Sequence, residues 1–396
     1  KGGEASLIGR PFLLMEKGKC MSETNLWVIK VGSSLVTNQG RGIDRLRLRN
    51  WVEQIAYLKE KGLQVILITS GAIAEGVQAL GWKERPHNLA DLQAAAAVGQ
   101  MGLAQAYQEL FAQKGILTGQ VLLTHEDIRE RQRYLNVCNT LSALLAHQVV
   151  PIVNENDTVT TKEITLGDND TLGALVSNLV QASHYIILTD QEGLYEEDPR
   201  HNPKANLIKH IAAEDPRLSE MAGGAGTAVG IGGMATKVKA ARRAAVSGTT
   251  TLIVSGAKPD VLLQLLEGEK VGTTLKPSAA PLRAKQQWMV NQLQSVGSIT
   301  VDAGAAQALV DKGKSLLPIG CIAVEGHFKR GDLVAICDKK GEAFAHGLVN
   351  YHSSELHLIL GCTSESVEER LGFRREEEVV HRNHMVLLKG AESSSS

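Results

Sequence analysis

Two short polar clusters hold the residue types best suited to chemistry. Val153-Asn-Glu-Asn-Asp157 and Gly167-Asp-Asn-Asp170 gather acidic and amide side chains directly behind the apolar run Val149-Val-Pro-Ile-Val153. A short run of β-branched residues suits a strand buried on both faces. The clusters therefore fall where a strand leaves a sheet, the place where open α/β folds bind ligands. Asn and Asp are also plain turn formers, but two clusters flanking one excursion, with a helix beginning at Asp170, favour a site.

Lys30 lies inside a second apolar run, Leu26-Trp-Val-Ile-Lys-Val-Gly32. A cation there is costly unless it faces a cleft or a partner, or snorkels to solvent from an edge. Ile29 and Val31 take the opposite pleat into the core, which puts Lys30 on the other face near the strand's C-terminal end, within reach of an anion. Gly32-Ser33-Ser34 follows with backbone N–H groups at the turn. The glycine-dense stretch 223–233 opens into a helix from Met234, with Lys237 on its first turn. Helix N-termini attract anions and a lysine adds a point charge, so this stretch reads either as a loop closing over phosphates or as a surface loop. Gly230-Ile-Gly232-Gly233 is not a dinucleotide fingerprint, because no clear strand precedes it and no acidic residue follows at the required distance. Gly313-Lys314-Ser315 lacks the earlier glycine of a phosphate-binding P-loop, since Ala308 stands there. Two distant lysines, glycine turns after strands and Asp/Asn groups at strand ends, including Thr189-Asp190, make up the inventory of phosphoryl transfer. In that chemistry cations neutralise phosphate oxygens, carboxylates hold Mg²⁺ or the lysines, and backbone donors cradle phosphate.

The elements that must position these groups alternate. Strands are expected at 26–32, 64–70, 115–124, 149–153, 184–190 and 249–255. Helices are expected at 44–61, 88–114 (interrupted at Gly99 and Gly102), 125–148, from 170, at 234–246 and at 259–266. Such alternation means βαβ units with right-handed crossovers and a mainly parallel sheet, so the fold class is a three-layer α/β/α sandwich. Near Lys276-Pro-Ser-Ala-Ala-Pro281 the composition becomes that of a linker, with Trp288 in a short amphipathic piece. Beyond it short strands bounded by glycine turns are expected at 320–326, 331–336 and 355–360, a small, mainly β second domain. The expected organisation is an N-terminal extension over 1–24 with a natural start at Met21, an α/β domain over 25–276, a linker over 277–297, the β domain over 298–388 and a tail over 389–396.

Charge and cysteine usage narrow the partners. Lys plus Arg number 42 against 43 for Asp plus Glu, so no net field draws the chain to nucleic acid or membrane. The five scattered cysteines form no paired spacing, which argues against a disulfide framework or a zinc site and for a reducing cytoplasm. No metal-ligand spacing is present, and no apolar run is long enough to span a bilayer.

With these residues assembled, the sequence resembles the glutamate 5-kinases, a branch of the amino acid kinase family. The carriers are Val28-Ile-Lys-Val-Gly-Ser-Ser34, Thr69-Ser-Gly-Ala-Ile-Ala74, Val153-Asn-Glu-Asn-Asp157, Gly167-Asp-Asn-Asp170, Leu188-Thr-Asp-Gln-Glu-Gly-Leu-Tyr195 and Gly232-Gly-Met-Ala-Thr-Lys237. Leu317-Pro-Ile-Gly, Gly347-Leu-Val-Asn-Tyr351 and His381-Arg-Asn-His-Met-Val-Leu387 are similar to a PUA domain. The resemblance implies ATP-dependent phosphorylation of the γ-carboxylate of L-glutamate with Mg²⁺, held mainly through the ATP phosphates, as the first step of proline biosynthesis. It assigns Ser70, Asp157 and Asn169 to glutamate. Lys30 and Lys237 would stabilise the transferring phosphoryl group, with Asp170 orienting both. Lys30, Thr189, Asp190, Ile231, Gly232, Gly233, Met234, Ala235, Thr236 and Lys237 would line the ATP site. Feedback inhibition by proline and assembly into homodimers or tetramers are further implications.

Two rival readings stand beside this one. The first is a kinase of the same fold acting on aspartate, acetylglutamate, carbamate or a nucleotide. The second is an RNA-binding or RNA-modifying protein. From Ser298 onward there are 11 Lys/Arg against 14 Asp/Glu, a balance that works against non-specific RNA affinity.

Overall fold

The computed structural model describes residues 25–37, 42–160, 169–199, 201–222, 233–278, 295–373 and 376–388. The larger unit is built on eight strands: β1 (Leu26–Val31), β2 (Gln64–Ile68), β3 (Thr118–Leu123), β4 (Val150–Glu155), β5 (His184–Thr189), β6 (His210–Ala212), β7 (Thr250–Ser255) and β8 (Thr273–Lys276). They lie in the order β3-β4-β2-β1-β5-β7-β8-β6, and every neighbouring pair is parallel except β7 with β8. The chain builds leftward from β1 to β2, β3 and β4, then returns to the other side of β1 for β5. The direction of winding therefore switches between β1 and β5, where open sheets of this kind form a ligand crevice beyond their strand ends.

Alternation along the strands creates two apolar layers. Val28, Ile66, Ile68 and Val153 pack on one face against the helices Asn169–Val180, Met234–Ala245 and Arg131–Ala146. Trp27, Ile29, Val31, Val65 and Leu67 pack on the other against the helices Arg45–Glu60 and Leu89–Ala112. The three-layer α/β/α sandwich is the observed architecture.

The helix Leu89–Ala112 is continuous through Gly99 and Gly102, contrary to the interruption expected there. Gly99 serves close packing. A Cβ on it would lie 1.8 Å from the Ala72 carbonyl oxygen, and one on Gly76 would lie 1.7 Å from that of Ala95. The two glycines let this helix and Ala72–Ala79 touch backbone to backbone. The helical region expected at 125–148 is two helices, His125–Arg129 and Arg131–Ala146, and the Glu130 carboxylate at the break accepts from the N–H groups of Gln132 and Arg133. Strand β4 runs on through Asn154 and Glu155, so these two polar residues are buried within the sheet.

The second unit is a five-stranded sheet of β9 (Gly297–Val301), β10 (Cys321–Gly326), β11 (Leu333–Cys337), β12 (Ala343–Leu348) and β13 (Met385–Leu387), ordered β10-β9-β11-β12-β13. The strand expected at 355–360 is instead a helix, Ser353–Ile359. Leu356, Leu358 and Leu360 mimic strand alternation, but Ser353, Leu356 and Ile359 are the buried positions, spaced at three residues, while Leu358 is exposed. A capping box between His352 and Glu355 starts that helix. Gly313 closes the helix Ala303–Lys312 with φ of 54°, so the sequence Gly-Lys-Ser there is a helix end.

The two units are in contact. Leu135 packs with Leu333, Leu348 and Val386, and Asn139 Nδ2 donates to Glu376 Oε1 at 2.6 Å. Trp288 and most of the expected linker lie outside the described residues.

Candidate active site

The centre of the site is a carboxylate shared by two lysines. Lys30 emerges from β1 on the face of Val28, and Asp170 stands on the first turn of the helix Asn169–Val180 that covers that face. Lys30 Nζ lies 2.6 Å from Asp170 Oδ1, and Lys237 Nζ donates to Asp170 Oδ2 at 3.1 Å. Thr236 Oγ1 donates to the same Oδ2 at 2.8 Å. All three charged side chains are buried. Burial by itself would push the Asp170 carboxyl up, but the two ammonium groups and the hydrogen bonds from Lys30 and Thr236 outweigh it and hold it at about 2. The backbone beneath Asp170 is fixed too. Tyr185 OH donates to the Asp170 carbonyl at 2.8 Å, across Gly173, where a Cβ would stand 2.4 Å from that hydroxyl.

Beside this centre, an amide set occupies the ends of β2 and β4. Asn169 Nδ2 lies 2.9 Å from the Thr69 carbonyl oxygen, 2.9 Å from Ser70 Oγ and 3.0 Å from Asn154 Oδ1. Asp157 is half-buried just beyond β4. Burial pushes its carboxyl up to about 7, the neighbouring Glu155 adds to the rise and Arg85 opposes it. On the other side of β1, Thr189 closes β5 and its Oγ1 donates to Asp190 at 3.1 Å. Gly233 is the N-cap of the helix Met234–Ala245, and no side chain caps that terminus. Ile231 and Gly232 lie outside the described residues, as do Gly167 and Asp168.

The amino acid kinase family matches residues 25–255 of the chain, and the PUA domain matches 297–371. The glutamate 5-kinase of Bordetella petrii is 54% identical over 361 residues, covering 91% of this chain and 96% of the relative. That of Methylobacillus flagellatus is 52% identical over 375 residues, covering 95% and 99%. The chain belongs to the amino acid kinase family. Among solved structures, the UMP kinase of Bacillus anthracis covers 65% of this chain and 98% of its own at 14% identity, with a TM-score of 0.45.

The kinase therefore brings Lys30, Asp170, Thr236 and Lys237 into direct contact, and Ser70 into contact with Asn169. Thr189 and Asp190 sit at the end of the strand next to β1 without bonding to the lysines in the described residues. Asp157 is set apart, next to Glu155 and Arg85. Reading the sequence did not single out Gln100, whose Oε1 accepts from Asn154 Nδ2 at 2.8 Å, nor Tyr185 beneath Asp170. Gln100 stands on a helix whose partner strand is 54 positions away, so only the unusual glycine beside it hinted at a close approach.

Proposed function

We propose that this kinase transfers the γ-phosphoryl group of ATP to the γ-carboxylate of L-glutamate, giving γ-glutamyl phosphate and ADP, the opening step of proline biosynthesis. The observation that carries the reading is Asp170 gripped by Lys30 and Lys237 at the switch point of the sheet. A carboxylate substrate is already a nucleophile, so the chemistry asks for positioning and charge neutralisation rather than a general base. A carboxylate oxygen attacks the γ-phosphorus, the bond to the β–γ bridging oxygen breaks, and ADP keeps the electron pair. Lys30 and Lys237 stabilise the charge that spreads over the phosphoryl oxygens, and Asp170 holds both ammonium groups in place. Thr189, Asp190 and residues 231–237 border the nucleotide, with the uncapped helix start at Gly233 offering N–H groups to phosphate. Both oxygens of Asp170 are engaged by Lys30, Lys237 and Thr236, which is consistent with Mg²⁺ held mainly through the ATP phosphates.

Ser70, Asn169 and Asp157 recognise the amino acid end, with Asp157 facing the α-ammonium. The glutamate 5-kinase name of the relatives supports this acceptor. Proline carries the same α-carboxylate beside a charged nitrogen, which is the basis for including feedback inhibition by proline in the reading. A cytoplasmic homo-oligomer, a kinase domain over 25–276 and a regulatory rather than RNA-binding PUA-like domain over 298–388 complete it. In the described residues no helix is long and apolar enough to cross a membrane. A coupled ADP-release assay with glutamate, aspartate, acetylglutamate, carbamate and UMP, with and without proline, tests the proposal. Glutamate-dependent ADP release inhibited by proline is expected, and preferred turnover of another acceptor overturns it.

A further inference from the structure

The amide groups around Asn169 form a relay with a defined polarity. The Thr69 backbone carbonyl can only accept, so the atom of Asn169 lying 2.9 Å from it must be the NH₂ group. The atom of Asn154 facing that NH₂ at 3.0 Å must then be its oxygen, which turns the Asn154 NH₂ toward Gln100, and Gln100 must answer with its own oxygen at 2.8 Å. Each amide orientation follows from the one before it, starting at a carbonyl that cannot rotate. Asn154 is 1% exposed and Gln100 8%, so no bulk water competes for these bonds.

The consequence appears at the free end. With the two protons of Nδ2 shared among three oxygens, Asn169 presents Oδ1 on the opposite corner of its amide, and this buried oxygen has no hydrogen-bond partner among the described residues. Ser70 Oγ accepts from Asn169, which leaves the Ser70 proton available to donate. One acceptor and one donor side by side match an α-amino acid zwitterion, whose ammonium donates and whose carboxylate accepts.

We infer that Gln100 is a positioning residue for amino-acid recognition: by locking Asn154 it sets the polarity with which Asn169 meets the substrate ammonium. This rests on the glutamate reading above and deepens it. Gln100 reaches the site only because Gly99 and Gly76 let its helix press against Ala72–Ala79.

The test compares L-glutamate with glutarate, which keeps both carboxylates and lacks the ammonium. Wild-type protein is measured first: failure to turn over glutamate removes the glutamate reading itself. With that activity in hand, Gln100→Met keeps the side chain's length and removes the acceptor. We expect the glutamate KM to rise by roughly ten-fold, the scale of one buried hydrogen bond. The kcat and the ATP KM should stay within about three-fold, and the preference for glutamate over glutarate should drop by the same roughly ten-fold. A merely structural role would shift both acceptors and ATP together. Unchanged preference, or a parallel rise in the ATP KM, overturns the inference. Should Gln100→Met not fold, Gln100→Glu carries the test. It retains an oxygen for Asn154, so the preference should remain within about three-fold of wild type, and its collapse would equally refute the relay.

Discussion

Replacing Asp170 by Asn keeps the side chain's size and deletes the charge that two buried ammonium groups share. Lys30 lies 2.6 Å and Lys237 3.1 Å from that carboxylate. At an effective dielectric of about 20, an ion pair at such a separation is worth roughly 5 kcal/mol before desolvation is counted. Removing one partner of a buried pair costs about 3–5 kcal/mol net, and here one substitution strands both lysines. Asp170→Asn should therefore lower folding stability by about 3–5 kcal/mol. The triphosphate of ATP can replace the lost charge, so saturating ATP should raise the melting temperature of the variant by more than it raises that of wild type. Catalysis should respond in the opposite sense. Lysines no longer aimed by a shared carboxylate lose their preorganisation, and kcat should fall on the order of 10²-fold or more, while the KM for ATP does not rise. Thermal denaturation with and without ATP, together with coupled ADP release, reads all three quantities. A kcat within about three-fold of wild type, or an ATP affinity that falls in step with kcat, would refute the claim that Asp170 acts by orienting the two lysines.

Asp157 titrates at about 7, so the glutamate KM should fall as pH rises through that value and ionises the group that meets the ammonium, whereas Asp157→Asn should show a flat profile at weaker affinity. Because its folded value is raised from 3.8 to about 7, the unfolded chain releases this proton first, and its contribution to stability declines as pH climbs between the two values; urea midpoints of wild type and Asp157→Asn across that range read the difference. Gly99→Ala drives a methyl group to 1.8 Å from the Ala72 carbonyl and should cost about 1–3 kcal/mol or more by overpacking, so a wild-type urea midpoint would contradict the close helix crossing. Leu135→Ala removes the apolar contact with Leu333, Leu348 and Val386 and should destabilise by about 2–5 kcal/mol at unchanged kcat, read by urea titration and initial rates.

How much of this was legible in the sequence depends on how locally each feature is encoded. Lys30 stood out because a cation inside an apolar strand needs a reason, and Asn169 and Asp170 because polar residues followed a buried strand. The three-layer architecture followed from strands alternating with helices. What escaped notice depended on contacts between distant segments. Gln100 meets Asn154 across 54 positions, and Thr236, expected only at the ATP site, also bonds to Asp170 across 66. Gly99 looked like a helix breaker, because its packing partner, Ala72, belongs to another helix. The leucines at 356, 358 and 360 follow the strand period, the helical spacing of Ser353, Leu356 and Ile359 is masked by that alternation, and only the capping pair His352 and Glu355 favoured a helix. Contact between the two units was hidden, since Leu135 reads as an ordinary helix residue until Leu333 and Val386 are seen against it.

The central claim is that Lys30 and Lys237, held by Asp170, move a phosphoryl group onto a carboxylate of glutamate. An acyl phosphate reacts with hydroxylamine to give a hydroxamate, so trapping the product identifies the bond formed as well as the nucleotide consumed. Wild-type protein with ATP, Mg²⁺, glutamate and hydroxylamine should yield ADP and the γ-glutamyl hydroxamate in equal amounts. Lys237→Ala should slow both by about 10²-fold with little change in the glutamate KM. ADP released without hydroxamate, or a Lys237→Ala variant trapping product at the wild-type rate, would contradict the account.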